Sequence, residues 1–461
     1  MEVDDDRGME SDANVREHQC EVVVVGAGAA GLVAGWTAAQ SADVVVLEAA
    51  TRPGGRVESV RHGDYWLNIG TQFTEGEDGP LFEVMDRYGI ERGTLACRKA
   101  GLYFRGRLVT TDSPPLLLLR SRIPLGAKVE LARVGLRIKR VCRRLYGKNV
   151  EAARRVMADL DAKSGTEALM AGVRSAEMTA LFDTWAGQWI GCDPEETAAR
   201  QLATSIGAAL DKAGNVPNFA LPVGGNQVFT DALADELGDR LRLGAAAQRI
   251  TWTDDSVTVE YADADGPARV SAKRAIVATP ADIALKIMPD LPDAQRTALA
   301  DIEYGRYVVA GLFTKEQGPQ VWDDYYGVST PELSFQMLFN HAAPLRAQGA
   351  RKPGGALTLL SGGSAADKLN QLSDEEIEAT LVADLLKLFP QLEGQIDRVV
   401  IKRQPRVVSF WGPGKRTASQ KTLRGALGPI RFAGDYLGDP SLAAAAAAGQ
   451  LAAEKTLTSL A

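Results

Sequence analysis

The sequence predicts an α/β fold, with α and β elements mixed, in which one domain draws on both ends of the chain and a second domain of mixed sheet and helices is interleaved with it. Three observations predict it. EVVVVGAGAAGLVAGWTAAQ, starting at Glu21, runs from a buried apolar strand through a glycine turn into an alanine-rich helix, and DVVVLE comes next as a second strand, giving a β-α-β unit. In mid-chain LRLGAAAQRITW, DSVTVEY and AKRAIVATP alternate as short strands and end at Pro280. At the far end PIRFAGDYLGDPSLAAAAAAGQLAAEKTL reads as a strand, a loop and a long helix of strong helix formers.

The elements between these landmarks run in order. The acidic opening, MEVDDDRGMESDANVREHQ, lacks an apolar core and a cleavage pattern, so residues 1–19 are expected to be a disordered tail, with order beginning at Cys20. Residues 80–210 look mainly helical, and FALPVGGNQVFTDALAD (218–234) reads as a glycine turn entering a helix. A helix is expected around Ala281 to Met288. Beyond it the strand-like YVVAGLFT, ALTLLSGG and DRVVIKRQP surround a helix near 374–389. The predicted division is a Rossmann-like nucleotide-binding domain from 20–79, 211–290 and 400–461, and a substrate-binding or helical cap domain from 80–210 and 291–399.

Size and composition restrict the function. A chain of 461 residues exceeds the size at which one core keeps growing, and it can bury a large cofactor. Its 45% hydrophobic and 24% charged content is that of an ordinary globular protein, with no apolar run long enough to cross a bilayer. A net charge of −7 argues against general affinity for nucleic acid and favours small-molecule chemistry. Cys20, Cys97, Cys142 and Cys192 form no CxxC pair, which suits a reducing cytoplasm. With only His18, His62 and His341 present, neither a metal site nor a histidine-based triad is expected. Residues 113–148 combine an apolar run with many Arg and Lys; a helical cap with a solvated basic face is one reading, contact with a membrane surface or a protein the other.

Gly26, Gly28 and Gly31 form GxGxxG directly after a strand and at the start of a helix, the arrangement that brings backbone N–H groups against a pyrophosphate. Ala30 lies inside that turn. Glu48 ends the next strand, twenty residues past Gly28, where a carboxylate can accept hydrogen bonds from both ribose hydroxyls of an adenosine and would repel a 2′-phosphate. These residues imply a dinucleotide.

The residues from Glu48 and Ala49 onward point to FAD. EAATRPGGR, with Arg52, Gly54, Gly55 and Arg56, resembles the EAxxRxGGR motif of the flavin amine oxidase superfamily, which includes monoamine and polyamine oxidases, protoporphyrinogen oxidase and phytoene desaturases. The resemblance implies that the paired glycines let the backbone approach FAD and that Arg56 lies near its pyrophosphate and flavin. YWLNIGTQF resembles the family's flavin-side strand and turn, which adds Gly70, Thr71 and Gln72. LPVGGNQVFTDALADEL resembles its P-x-GG helix start, and LRLGAAAQRI the strand whose backbone, at Ala247, touches adenine. Ala278, before Pro280, joins the same cofactor set. RFAGDY resembles the FAG(D/E) strand, so Gly434 and Asp435 would reach the ribityl-diphosphate, and the helix starting near Leu442 would point its positive end at the flavin pyrimidine ring. The resemblance covers about 20–75, 215–285 and 400–455.

Its departures bear on the reaction. The lysine that holds a water near flavin N5 in amine oxidases is replaced by Val309, and the aromatic at the start of the C-terminal helix by Ser441. Ala443 and Ala447 stand where relatives commonly carry polar residues. Trp411 is the candidate for a second substrate-facing ring, or an ordinary buried aromatic. Ser409 stands where some relatives have a flavin-tethering cysteine, so FAD is expected to be noncovalent. The expected function is two-electron dehydrogenation of a mostly apolar small molecule at a CH–NH or CH–CH bond, with flavin reoxidised by oxygen or another acceptor. A non-redox double-bond isomerase and a flavin-bound interaction protein remain alternatives, and no side chain stands out as a catalytic acid or base.

Overall fold

The computed structural model describes residues 15–72, 74, 79–94, 99–211, 220–348 and 351–460. Two seven-stranded sheets organise it. In the first, Arg16–Val25 lies at the centre between Gly266–Val277 and Val44–Leu47, parallel to both. Val22, Val23, Val24 and Val25 are all buried because helices and loops cover both faces of this parallel core, which is why they form an unbroken apolar run. Leu241–Arg242 extends the sheet in parallel beyond Val44–Leu47. Val257–Asp263 and Ala246–Trp252 extend it in antiparallel fashion on the other side. Ile430–Phe432 pairs with the end of Gly266–Val277, so the C-terminal segment joins a sheet built around the N-terminal strand.

The helix Ala29–Ala38 is apolar nearly all round because it is sandwiched between this sheet and the C-terminal helix Leu442–Thr458. Gly449 is what lets the two helices meet. A Cβ there would lie 2.1 Å from the carbonyl oxygen of Ala30.

In the second sheet the order is Ile396–Gln404, Tyr307–Thr314, Gly355–Gly362, Met337–Asn340, Tyr325–Ser329, Lys99–Phe104 and Arg107–Thr111. Leu125–Leu145, Ala176–Ile190 and Ala199–Asp211 pack into a helical layer with its own core.

Three elements differ from the sequence reading. Strand Arg16–Val25 takes in residues 16–19, expected from sequence to belong to the tail, because their backbone pairs with Ala268–Ser271; residues 1–14 lie outside the described residues. The 80–210 stretch, read as mainly helical, contributes the hairpin 99–111 to the second sheet. Strand Ile396–Gln404 runs across the expected boundary at 400 and lies wholly in that same sheet, paired with Tyr307–Thr314. Among the described residues no helix is long and apolar enough to cross a membrane.

Candidate active site

The glycine turn is set by close approaches. Gly26, at φ +100°, donates its N–H to the Leu47 carbonyl at 2.7 Å, and a Cβ on Gly31 would lie 1.7 Å from the Gly26 carbonyl oxygen. Gly28 differs, because a Cβ built on it meets nothing within 4 Å. Its missing side chain leaves open space at the start of a helix whose first turn has no side-chain cap and no acidic residue. That is the cradle a pyrophosphate needs: uncapped N–H groups, a positive helix end and no side chain in the way. The second glycine pair docks directly on the first, with Gly54 N–H bonded to the Ala27 carbonyl at 2.8 Å and the space beside Gly55 closed by the Gly28 Cα at 3.4 Å. Arg52 fixes this loop by bonding the carbonyls of Pro53, Gly55 and Val57 and the Glu58 carboxylate. Glu48 accepts from the N–H groups of Ala27 at 2.7 Å and Ala50 at 2.9 Å, which holds its carboxylate beside the turn.

Arg56 joins the two ends of the chain. Its guanidinium makes a two-pronged pair with Asp435, at 2.9 and 2.8 Å, and also donates to the Val407 carbonyl at 2.6 Å. Asp435 accepts in addition from the Ser409 hydroxyl at 3.1 Å and its N–H at 3.3 Å. Burial pushes the Asp435 pKa up, but the adjoining Arg56 charge and these hydrogen bonds outweigh it, so the carboxylate stays below its usual range. Burial alone would lower the Arg56 pKa; Asp435 reverses that and holds it cationic. On the next loop Gln72 bonds the carbonyls of Asn68 and Gly70 through its amide nitrogen, while its oxygen meets His341 Nε2 at 3.2 Å. Burial pushes the His341 pKa down to about 3, which keeps the ring neutral.

Part of this framework, Gly28, Gly54, Arg56, Gln72 and Asp435 among it, lines one cavity of about 440 Å³, within the range of small-molecule sites. Of the cofactor residues read from sequence, Gly28, Ala30, Gly54, Arg56, Gly70, Thr71, Gln72, Ala278, Gly434, Asp435 and Leu442 line it. Gly26, Gly31, Glu48, Ala49, Gly55 and Ala247 lie outside its wall, the first two as packing contacts of the turn. Ser441 lines the cavity and caps the C-terminal helix by accepting from the Ala444 N–H at 3.1 Å.

The other two substrate candidates are placed differently. Trp411 does not reach the cavity: it is fully buried beneath the first sheet, paired across Ile302, with the Arg416 guanidinium 5.2 Å from its ring centre. Val309 is also fully buried and off the cavity wall; Leu360, its cross-strand partner, is the residue that lines it. The wall away from the glycine turns is formed by Tyr307, Phe339, Leu360, Val407 and Val408, with the amides of Gln188, Gln201 and Gln404. None of these was singled out by sequence. Val407 lies in the same RVVSFWGPG segment as Trp411, which is the one signal that could have found it. The glutamines lie in stretches without motifs.

FAD fits this frame. The profile of the family described as "Flavin containing amine oxidoreductase" matches residues 29–457, nearly the whole chain. The chain belongs to this family. A putative flavin-containing monoamine oxidase, AofH, of Mycobacterium tuberculosis is 26% identical over 289 residues, which are 59% of this chain and 60% of that relative. Amine oxidase [flavin-containing] A of Canis lupus familiaris is 23% identical across 91% of this chain and 81% of its own. Among solved structures, a putrescine oxidase double mutant superposes with a TM-score of 0.80 at 21% identity, covering 96% of this chain and 100% of the other. Cyclohexylamine oxidase from Brevibacterium oxydans gives 0.79 at 21%, covering 96% and 99%.

For this flavin-containing family member, bound FAD supplies the two-electron acceptor. The chain's own contribution is positional. The helix beginning at Ala29 would offer its positive end to the anionic oxygens of the pyrophosphate, and the one beginning at Leu442 brings a second such end to the same cavity. Arg56, already balanced by Asp435, adds hydrogen-bond donors without a net buried charge.

Proposed function

We propose that this chain oxidises a mostly apolar small molecule at a CH–NH bond, with noncovalent FAD as acceptor and oxygen returning the flavin to its oxidised form. The observation that carries the reading is that one cavity runs from the glycine turns to the apolar wall of Tyr307, Phe339, Leu360 and Val407. A C–H bond held there is dry and close to the flavin end of the site. The amine oxidases among the relatives favour nitrogen over a plain CH–CH bond. The substrate's hydride leaves carbon with the bonding pair, and the nitrogen lone pair forms C=N, giving an iminium that water hydrolyses.

Charge restricts the substrate class further. The carboxylates on the cavity are Asp435, taken by Arg56, and the exposed Asp439, taken by Arg416. A second ammonium group would find no free acid among the described residues that line the cavity, which supports a monoamine over a diamine. Buried thiols at Cys142 and Cys192 suit a cytoplasmic setting.

Anaerobic mixing with apolar primary and secondary amines tests the proposal. Lasting loss of flavin colour supports it. Product without net loss of colour would indicate a double-bond isomerase, and neither outcome across a broad panel would overturn catalysis.

A further inference from the structure

The helix Leu125–Leu145 buries Ala127, Leu131, Val134, Ile138, Cys142 and Leu145 against the helical layer, a single stripe at helical spacing. The opposite stripe carries Leu125, Val129 and Leu136, then Lys139, Arg140, Arg143 and Arg144, all exposed. At its start the helix turns a corner from Pro114–Arg120, where Leu119 is 72% and Leu125 78% exposed. Seven of the ten large hydrophobic side chains left exposed among the described residues lie between 116 and 150. Scattered surface leucines need no explanation, but this concentration does.

Charge identifies the occupant. Residues 113–148 hold ten basic residues and one acid in a chain of net charge −7, so the rest of the molecule is strongly acidic. The one acid, Glu130, is taken up by the N–H groups of Arg174 and Ser175 and the Ser175 hydroxyl. Arg137 is likewise tied to the carbonyls of Leu169 and Ala171. Lys139, Arg140, Arg143 and Arg144 have no hydrogen-bond or ion-pair partner for their side chains among the described residues. Such cations repel an identical face, which disfavours twofold self-association. They attract an anionic plane, and exposed leucines interspersed with them suit a surface that is charged outside and apolar just beneath.

We propose that this face docks on an anionic lipid bilayer, with Leu119 and Leu125 entering the headgroup region and Lys139, Arg140, Arg143 and Arg144 lying against lipid phosphates. The stripe runs along the helix axis, so one plane meets its apolar start and its cationic end together. Tyr146 comes directly after it, 71% exposed and also part of the cavity wall, so docking brings the cavity mouth to the lipid surface. An apolar substrate dissolved in the membrane would then have a short path in. The docking itself is independent of the amine oxidation proposed for the cavity and is measured without turnover.

The full FAD-loaded chain should co-sediment with vesicles of phosphatidylcholine and phosphatidylglycerol and far less with phosphatidylcholine alone, and high salt should weaken the binding. Arg140→Glu/Arg143→Glu/Arg144→Glu should weaken partition at least about a hundredfold, at about fivefold per basic residue. Leu119→Ser/Leu125→Ser should weaken it about tenfold. Both variants should keep wild-type flavin content, which separates docking from folding. Absence of binding to the anionic vesicles, equal binding to neutral ones, or an unchanged triple variant would overturn the proposal. So would a wild-type dimer in light scattering that the same substitutions dissociate, since a second copy would then own the face.

Discussion

Replacing Gly449 with alanine tests how the two ends of the chain are joined. The added Cβ would sit 2.1 Å from the Ala30 carbonyl oxygen and 2.9 Å from its carbon, where ordinary contact begins at 3.4 Å. Both neighbours are backbone, so the C-terminal helix must move off Ala29–Ala38 by about 1 Å. Overpacking of this kind costs roughly 1–3 kcal/mol, against which alanine regains about 1 kcal/mol of helix propensity. The net loss should be up to about 2 kcal/mol in urea unfolding. FAD affinity should suffer more visibly, because Leu442 and Ala445 line the cavity from the displaced helix while Ala29 and Ala30 line it from the other. A fall of about tenfold or more is expected, equivalent to about 1.4 kcal/mol. Gly135→Ala is the control: it lies within Leu125–Leu145 with nothing within 4 Å of the added carbon, and should stabilise by up to about 1 kcal/mol. Opposite signs for the same chemical change would support the packing argument. Wild-type stability and FAD affinity in Gly449→Ala would refute it.

Asp435→Asn should cost about 1–3 kcal/mol in urea unfolding near neutral pH, because it leaves the half-buried Arg56 guanidinium without its counter-charge, with solvent in the cavity screening part of the loss. Since the Asp435 pKa is depressed in the folded state, wild type's advantage should be full above about pH 4, the unfolded value, and shrink as pH falls through the lower folded one. His341→Gln should flatten the acid side: the neutral ring in the fold and a protonated one in the unfolded chain cost wild type up to about 1.4 kcal/mol per pH unit below about 6.5, read from unfolding at stepped pH. Trp411→Phe should lower stability by about 1–3 kcal/mol while leaving KM within about twofold, whereas Val407→Ala, on the cavity wall, should change KM for apolar substrates. Steady-state kinetics on both variants checks the contrast.

The glycine turns are legible in the sequence because their geometry depends on backbone. A Gly26 at positive φ, a Gly31 with no room for Cβ and a Gly28 facing open space each demand glycine for a local reason, and such reasons leave a pattern. RFAGDY was readable for a similar cause, since a short strand, a tight turn and one acid occupy consecutive positions. The Arg56–Asp435–Ser409 network was not, because it links positions 56, 409 and 435 through side chains whose proximity only the folded sheet creates.

The apolar wall of the cavity is the least legible part. Tyr307, Phe339, Leu360 and Val407 come from separate stretches of chain and look like any core residues in a strand pattern. Trp411 is a large aromatic beside a glycine-proline turn, yet Ser409–Trp411 pairs with Ile302–Tyr304 and turns that ring into the core. Residues 99–111 lie between helical stretches in the sequence; GLYFRGRLVT is a hairpin whose turn, at Arg105 and Gly106, has positive φ at both positions, a signal that helical periodicity does not carry.

The central claim is that a C–H bond beside nitrogen is broken in this cavity and its electron pair passes to FAD. Anaerobic stopped flow with an apolar monoamine, unlabelled and deuterated at the carbon bearing nitrogen, tests it most directly. The expected result is one flavin reduced per substrate oxidised, release of the corresponding carbonyl product after hydrolysis, and flavin reduction slowed severalfold by deuterium. Flavin that stays oxidised with its FAD bound across a broad amine panel, or product formed without flavin reduction, would contradict it.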